Sequence, residues 1–332
     1  MAKLSIPLLS IFLLFLFQSC EKEVIEAAAT SQATPTTASL SKITVQNNVL
    51  AFETIHDYLA FVDHEDYSMT DKVVEHAKTL PFESYGQQQK KEMDFESDFI
   101  EAILNKDRIV KIGKWFIKIN PKTEQVYALS DAFKEHYSIL VSNKPAHKHI
   151  HQFSTDDDVI ALLQDEANIN AKGLFCGESG AANHPFDQTR YLAFVPADSY
   201  PASRYEFPCK ITYLKLGIYY TLKAYMKVEK ETRSPHGANA TISTHAYPNL
   251  PIRIFSQRRY KVRCGTEHGW YTKVTPVTDN KVTYKSYQGS KRLHKYQLRI
   301  GFEAAYPGSG GYTNVWNYLL WYPYQREIKH GY

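Results

Sequence analysis

Hydrophobic and polar positions follow several different periods along this chain, and each period predicts a different element. Residues 4–17 form an apolar run behind Lys3. At 14 residues it has the length of an export-signal core, whereas a membrane-spanning helix needs roughly 20. Residues 24–41 are mostly Ala, Thr and Ser with one Pro and few large apolar groups. That composition buries too little surface to offset chain entropy, so the stretch is expected to be a flexible tether reaching roughly 25 Å.

From residue 49 the pattern becomes that of a folded body. Val49, Leu50, Ala51 and Phe52 read as a short strand. Thr54 then reads as an N-cap, with Asp57 three residues on and Tyr58, Leu59, Phe61 and Val62 on one helical face. Two more helices are expected over 71–80 and 95–104. Over 108–129 the period changes to two and predicts a three-strand meander, with Asn120, Pro121, Lys122 and Thr123 as its second turn. A last helix is expected to start at Ser154 or Thr155 and to bury Val159, Leu162 and Leu163, with Asp156, Asp157 and Asp158 at its positive end.

Beyond residue 169 helical periodicity almost disappears. Candidate strands fall at 191–195, 210–229, 240–245, 252–264, 270–274, 281–287, 296–304 and 315–322, broken by Pro and Gly turns such as 306–311. The 210–229 run is too long to stay straight, and Gly217 is the natural place for a bulge or kink. Closely spaced β-branched and aromatic strands without intervening helices predict an antiparallel β-sandwich. The fold class is therefore mostly β: a small N-terminal α+β segment over 42–168, followed by an antiparallel β-sandwich over 169–332.

Composition marks the same boundary. Residues 42–168 carry 14 Lys/Arg against 22 Asp/Glu, and residues 169–332 carry 23 against 10. An acidic segment thus precedes a basic one, and 19 of the 24 tyrosines lie in the basic part. Cys176, Cys209 and Cys264 allow one disulfide in an oxidising compartment and leave one thiol, with the pairing open.

At the N-terminus, Phe17, Gln18, Ser19 and Cys20 resemble a lipobox, the site where a signal peptidase cuts and acyl chains are joined to the new terminal cysteine. The looser form of the box is similar to that of Bacteroidota lipoproteins. An ordinary secretory signal followed by an unrelated cysteine is the alternative. The resemblance extends through Val49, Leu50, Phe52, Tyr58 and Leu59 to the stretch Val110, Lys111, Ile112, Gly113, Ile117, Ile119, Pro121, Thr123, Val126, Tyr127 and Leu129. These residues look like the opening of a family of Bacteroidota lipoproteins with no established activity. The likeness covers roughly residues 1–135 and implies residues 1–19 as signal peptide, 20–41 as a lipidated tether, and attachment to the membrane by lipid on Cys20. Acyl chains such as palmitate contribute about 0.8 kcal/mol per buried methylene and hold a folded body on a bilayer without a spanning helix. The implied address is the cell envelope, as an outer-membrane lipoprotein facing the periplasm or the surface.

Several clusters could carry chemistry. His147, His149 and His151 alternate, and on an extended strand two neighbours could share one metal ion, with help from His136, His184 or the aspartates. A solvated loop explains the same run. Cys176 with His184 lacks a recognised catalytic signature, and Ser179 lacks the first Gly of a hydrolase elbow. No catalytic residue and no cofactor is assigned.

The basic, tyrosine-rich character points to binding. Arg258, Arg259, Tyr260, Lys261 and Arg263, then Lys285 and Tyr287, then Lys291, Arg292 and Tyr296 interleave cations with aromatic faces. Rings stack on sugars, and Lys and Arg neutralise sulfate, phosphate or carboxylate. An anionic glycan or an envelope partner is the expected ligand. Nucleic acid fits the charge, but no nucleic-acid motif is present. The basic half could equally dock on the acidic one. The second functional reading is a hydrolase of glycans or proteins, metal-assisted through the three histidines.

Overall fold

A computed structural model describes residues 39–88, 95, 97–142, 145–165, 178–181, 184–194, 203–227, 229–232, 252–277, 281–307 and 316–332. The export signal, Cys20, most of the tether, Cys176, the compositional boundary at 168/169 and the expected strand at 240–245 lie outside these residues. No helix of the described residues is long and apolar enough to cross a membrane.

The first segment is built on a six-stranded sheet of β1 (Ile43–Gln46), β2 (Val49–Phe52), β3 (Ile109–Ile112), β4 (Trp115–Asn120), β5 (Gln125–Ser130) and β6 (Ile150–Ser154), in that order. All neighbours are antiparallel except β2 and β3. Those two run parallel because a helical crossover separates them: α1 (Ile55–Val62), α2 (Ser68–Thr79), α3 (Tyr85–Gln88) and α4 (Asp98–Ile103). The expected start of α1 is present as a capping box. Thr54 Oγ1 accepts from the Asp57 N–H at 3.0 Å, and the Asp57 carboxylate accepts from the Thr54 N–H at 3.1 Å.

Strand alternation sends side chains of this sheet to two apolar layers. Phe52, Val110, Ile112, Ile117, Ile119, Val126 and Ala128 face the helices, packing with Tyr58, Phe61, Val73, Phe99, Ile100 and Ile103. Val49, Ile109, Phe116, Tyr127, Leu129 and Ile150 face the other way, against Leu140 of α5 (Tyr137–Val141). Burial on both faces explains the near-continuous apolar runs. Lys118 points into the second layer, where its Nζ donates to the carbonyls of Leu140, Val141 and Ser142 at 3.1, 2.6 and 2.7 Å.

The second segment enters the core of the first. The 210–229 run does not bend as one strand. It reverses between β8 (Ser203–Lys215) and β9 (Tyr220–Lys227), and the turn buries Leu216, Ile218 and Tyr219 in the helix-side layer. Gly217 sits in the turn at φ +76°, and a Cβ there would lie 2.8 Å from Val126 Cγ2. A bulky residue would therefore both strain the backbone and collide with β5. The Tyr58 hydroxyl donates to Ile218 O at 2.9 Å, and the Val159 N–H to Gly217 O at 3.0 Å.

Two antiparallel sheets complete the body. In one, β8 lies between β7 (His184–Phe194) on one edge and β9 with β10 (Glu229–Thr232) on the other, and β13 (Lys281–Gly289) pairs with β9. The other runs β12 (Glu267–Val277), β11 (Ile252–Val262), β14 (Leu293–Pro307), β15 (Trp316–His330). They face each other through tyrosines, Tyr213 against Tyr296 at 4.8 Å between ring centres and Tyr260 against Tyr287 at 5.1 Å. This is the expected sandwich.

The acidic and basic segments are joined by charge as well. Asp156 pairs with Lys215, and Asp158 pairs with Arg263 at 3.3 Å and accepts from the Arg292 N–H at 2.8 Å. Burial pushes the Asp158 carboxyl up, and the arginines oppose that only in part. These contacts account for Asp156 and Asp158, while the Asp157 carboxylate accepts from the Ser154 N–H at 2.8 Å. The helix this aspartate run was expected to cap, α6 (Val159–Gln164), begins later, after Asp158, with no side-chain cap.

Candidate ligand-binding cleft

A cleft of about 950 Å³ opens where the helices of the first segment meet the mouth of the sandwich. One wall is acidic and helical: Glu65, Asp66, Tyr67 and Asp71 come from the α1–α2 connection and the start of α2, and Asp98 from the start of α4. The opposite walls are strands, which carry Lys210 on β8, Lys223 on β9, Lys285 on β13, Arg258 on β11 and Lys273 on β12. Tyr219, Tyr271 and Tyr284 lie among these cations. The strand period explains the set: Tyr271 and Lys273 are two apart on an edge strand and share a face.

Several of these groups are already oriented. Lys285 Nζ donates to Asp71 at 2.6 Å and to Thr70 Oγ1 at 3.3 Å. The Arg258 guanidinium donates to the Tyr67 hydroxyl at 3.4 Å and lies 5.1 Å from the centre of the Tyr271 ring. Lys273 Nζ lies 5.7 Å from the centre of the Tyr284 ring. The Asp66 carboxylate accepts from the Ser68 N–H and hydroxyl, which hold it below the ordinary carboxylate range. Burial pushes the Tyr219 hydroxyl well up, so it stays a neutral hydrogen-bonding group. Tyr271 is 51 % exposed and offers an accessible ring face at the entrance.

No protein-family model, curated protein or solved structure matches this chain. What the cleft can do is therefore read from its own chemistry.

Of the ten residues expected to bind a ligand, Arg258 and Lys285 line the cleft. The others do not. Arg259, next to Arg258, points to the opposite face of β11, where its guanidinium lies 4.7 Å from Trp270 and 4.0 Å from Tyr332 and donates to Gln297 at 2.7 Å. Tyr260, Tyr287 and Tyr296 are buried in the sandwich, because the face they occupy is the one turned to the facing sheet. Lys261 pairs with Glu178, and Arg263 donates to Glu178 O at 3.0 Å. Arg292 is buried and donates to Ala181 O and Asp156 O. Lys291 lies on the exposed turn after β13, where its carbonyl accepts from the Tyr287 hydroxyl at 2.5 Å. Cys264, in the turn after β11, is disulfide-bonded.

The histidine run divides in the same way. His147 and His149 gather with His136, at 4.0 and 5.5 Å between ring centres, and His149 stacks on Phe133 at 3.8 Å. His151 belongs to β6, and its ring turns to Trp115 at 5.7 Å. The expected grouping of His147, His149 and His151 is thus split, because His147 and His149 lie in the turn that leads into β6 and only His151 is on the strand. Among the described residues no group of three or more His, Cys, Asp or Glu is placed to hold a metal ion.

Lys210, Lys223 and Lys273 are the cleft cations that sequence reasoning missed. One signal could have found two of them. With the chain reversing at 216–219, Lys223 falls directly opposite Thr212, with Lys210 two residues further along the same face.

Proposed function

We propose that this protein is a lipid-anchored component of the bacterial cell envelope that binds an anionic glycan in the cleft between its two segments, without catalysis. The observation that carries the reading is the convergence of five cations, one from each of five strands, on one accessible space that also holds Tyr271. Ammonium and guanidinium groups neutralise acidic substituents, an exposed ring stacks on a sugar face, and carboxylates on the opposite wall accept from sugar hydroxyls. Lipid on Cys20 and the tether supply the address, on the strength of the lipobox-like residues. The test is titration calorimetry of the full-length protein, purified in detergent, with chondroitin sulfate oligosaccharides. Saturable binding that weakens steeply as salt rises is the expected result, and no heat of binding at low salt overturns it.

A glycan hydrolase is the second reading, favoured by the carboxylates of Glu65, Asp66, Asp71 and Asp98 on the same wall. Hydrolysis needs one of two facing carboxyls to stay protonated as an acid. Asp66 is held low by Ser68, and Asp71 is tied to Lys285. Both features favour binding over cleavage. Release of new reducing ends from the same oligosaccharides would decide for the hydrolase.

A further inference from the structure

We propose that Thr212, Lys223 and Lys285, with Lys210 beside them, form a subsite for a tetrahedral oxyanion ester, sulfate or phosphate, carried on the bound sugar. The proposal rests on the cleft being the ligand site. Thr212 pairs directly with Lys223 across β8 and β9, and Lys223 pairs directly with Lys285 across β9 and β13. Directly opposed residues share a face, so the three form one row across the sheet, and all three line the cleft. Lys210 precedes Thr212 by two and lies on the same face, also in the lining.

Two features of this row suit an anion. Lys223 stands directly opposite Lys285, which places two ammonium groups side by side on one face of the sheet. Thr212 is only 5 % exposed, and its Oγ1 has no hydrogen-bond partner among the described residues. A buried hydroxyl without a partner is a cost to the fold, and an oxyanion at the row would remove it. The donor set also selects the shape. Ammonium groups are point charges with rotatable donors, and with a hydroxyl between them they suit several oxygens spread around one centre. A planar carboxylate is better served by the arginine fork, and Arg258 stands on β11, outside this row.

The test compares chondroitin 6-sulfate oligosaccharides with the same oligosaccharides chemically desulfated, on the full-length protein and on Thr212→Val and Lys223→Gln. The sulfated form is expected to bind about tenfold more tightly, and each substitution is expected to remove most of that difference. A melting temperature of Lys223→Gln that matches the parent shows that the lost affinity is not lost folding. Competition by glucose 6-sulfate and glucose 6-phosphate tells which ester the row prefers; competition by either supports the subsite. If both forms bind equally well and the variants match the parent, the subsite is wrong and the cleft reading survives. If neither form binds, both fall.

Discussion

The two segments hold themselves together by different physics. The sheet of the first segment is buried on both faces by aliphatic and aromatic side chains, and Lys118, which enters one of those layers, is satisfied by three backbone carbonyls. The sandwich of the second is closed by tyrosines whose rings pack while their hydroxyls bond to backbone, as Tyr287 does to Lys291 O and Tyr213 does with the Leu293 N–H. The first segment supplies apolar surface and carboxylates; the second supplies cations. The difference shows how a basic half divides its charge. Cations that meet Asp156, Asp158 or Glu178 are consumed by the fold, whereas Arg258, Lys210, Lys223 and Lys273 face the cleft.

That division can be broken most forcefully at Arg292. Replacing it with Ala removes donors to Ala181 O and Asp156 O and the guanidinium that lies 3.5 Å from the Asp156 carboxylate, and should cost about 3–5 kcal/mol in guanidinium unfolding. Lys273→Ala, in the cleft, should stay within about 0.5 kcal/mol in the same experiment. A smaller effect is expected where the second segment's turn enters the first core. Tyr58→Phe deletes the bond to Ile218 O and should cost about 1–3 kcal/mol, read from the same unfolding midpoints.

The gentlest perturbation is pH. Burial pushes the Asp57 carboxyl up, but the hydrogen bonds from Lys42 and Thr54 outweigh it and leave it below its ordinary value. A carboxyl lowered in the fold stabilises above its unfolded pKa, about 3.9, and loses that contribution as pH falls through the folded value. Lys42→Met should therefore be less stable than the parent at pH 6, and the gap should close as the pH falls below 4. A gap that persists unchanged at low pH would show that Lys42 acts through packing alone.

Elements with strong local signals were legible from the residues. The Thr54–Asp57 capping box, the meander over β3 to β5 and the sandwich class are all present as read. Gly217 reads as a break, yet whether it bends a strand or reverses it depends on Val126 and Val159, which are far away in sequence. The candidate site was harder for a related reason. Arg258 and Arg259 are neighbours with equal charge, and only the pairing of β11 with β12, irregular between Arg258 and Tyr260, decides which one faces the cleft. Lys223 and Thr212 stand far from the dense basic clusters of the sequence, and a charge tally gives them no weight. Aspartates 156–158 read as a helix end because a single sequence does not show the arginines that meet Asp156 and Asp158.

On the proposed reading, position in the cleft, not total charge, sets the affinity for polyanions. It is tested most directly by neutralising two cations at a time and measuring affinity for chondroitin sulfate. Arg258→Gln with Lys273→Gln changes the cleft; Arg259→Gln with Lys295→Gln changes the opposite sheet face by the same charge. The account predicts a loss of about tenfold or more for the first pair and less than about twofold for the second. Equal losses in the two would contradict it.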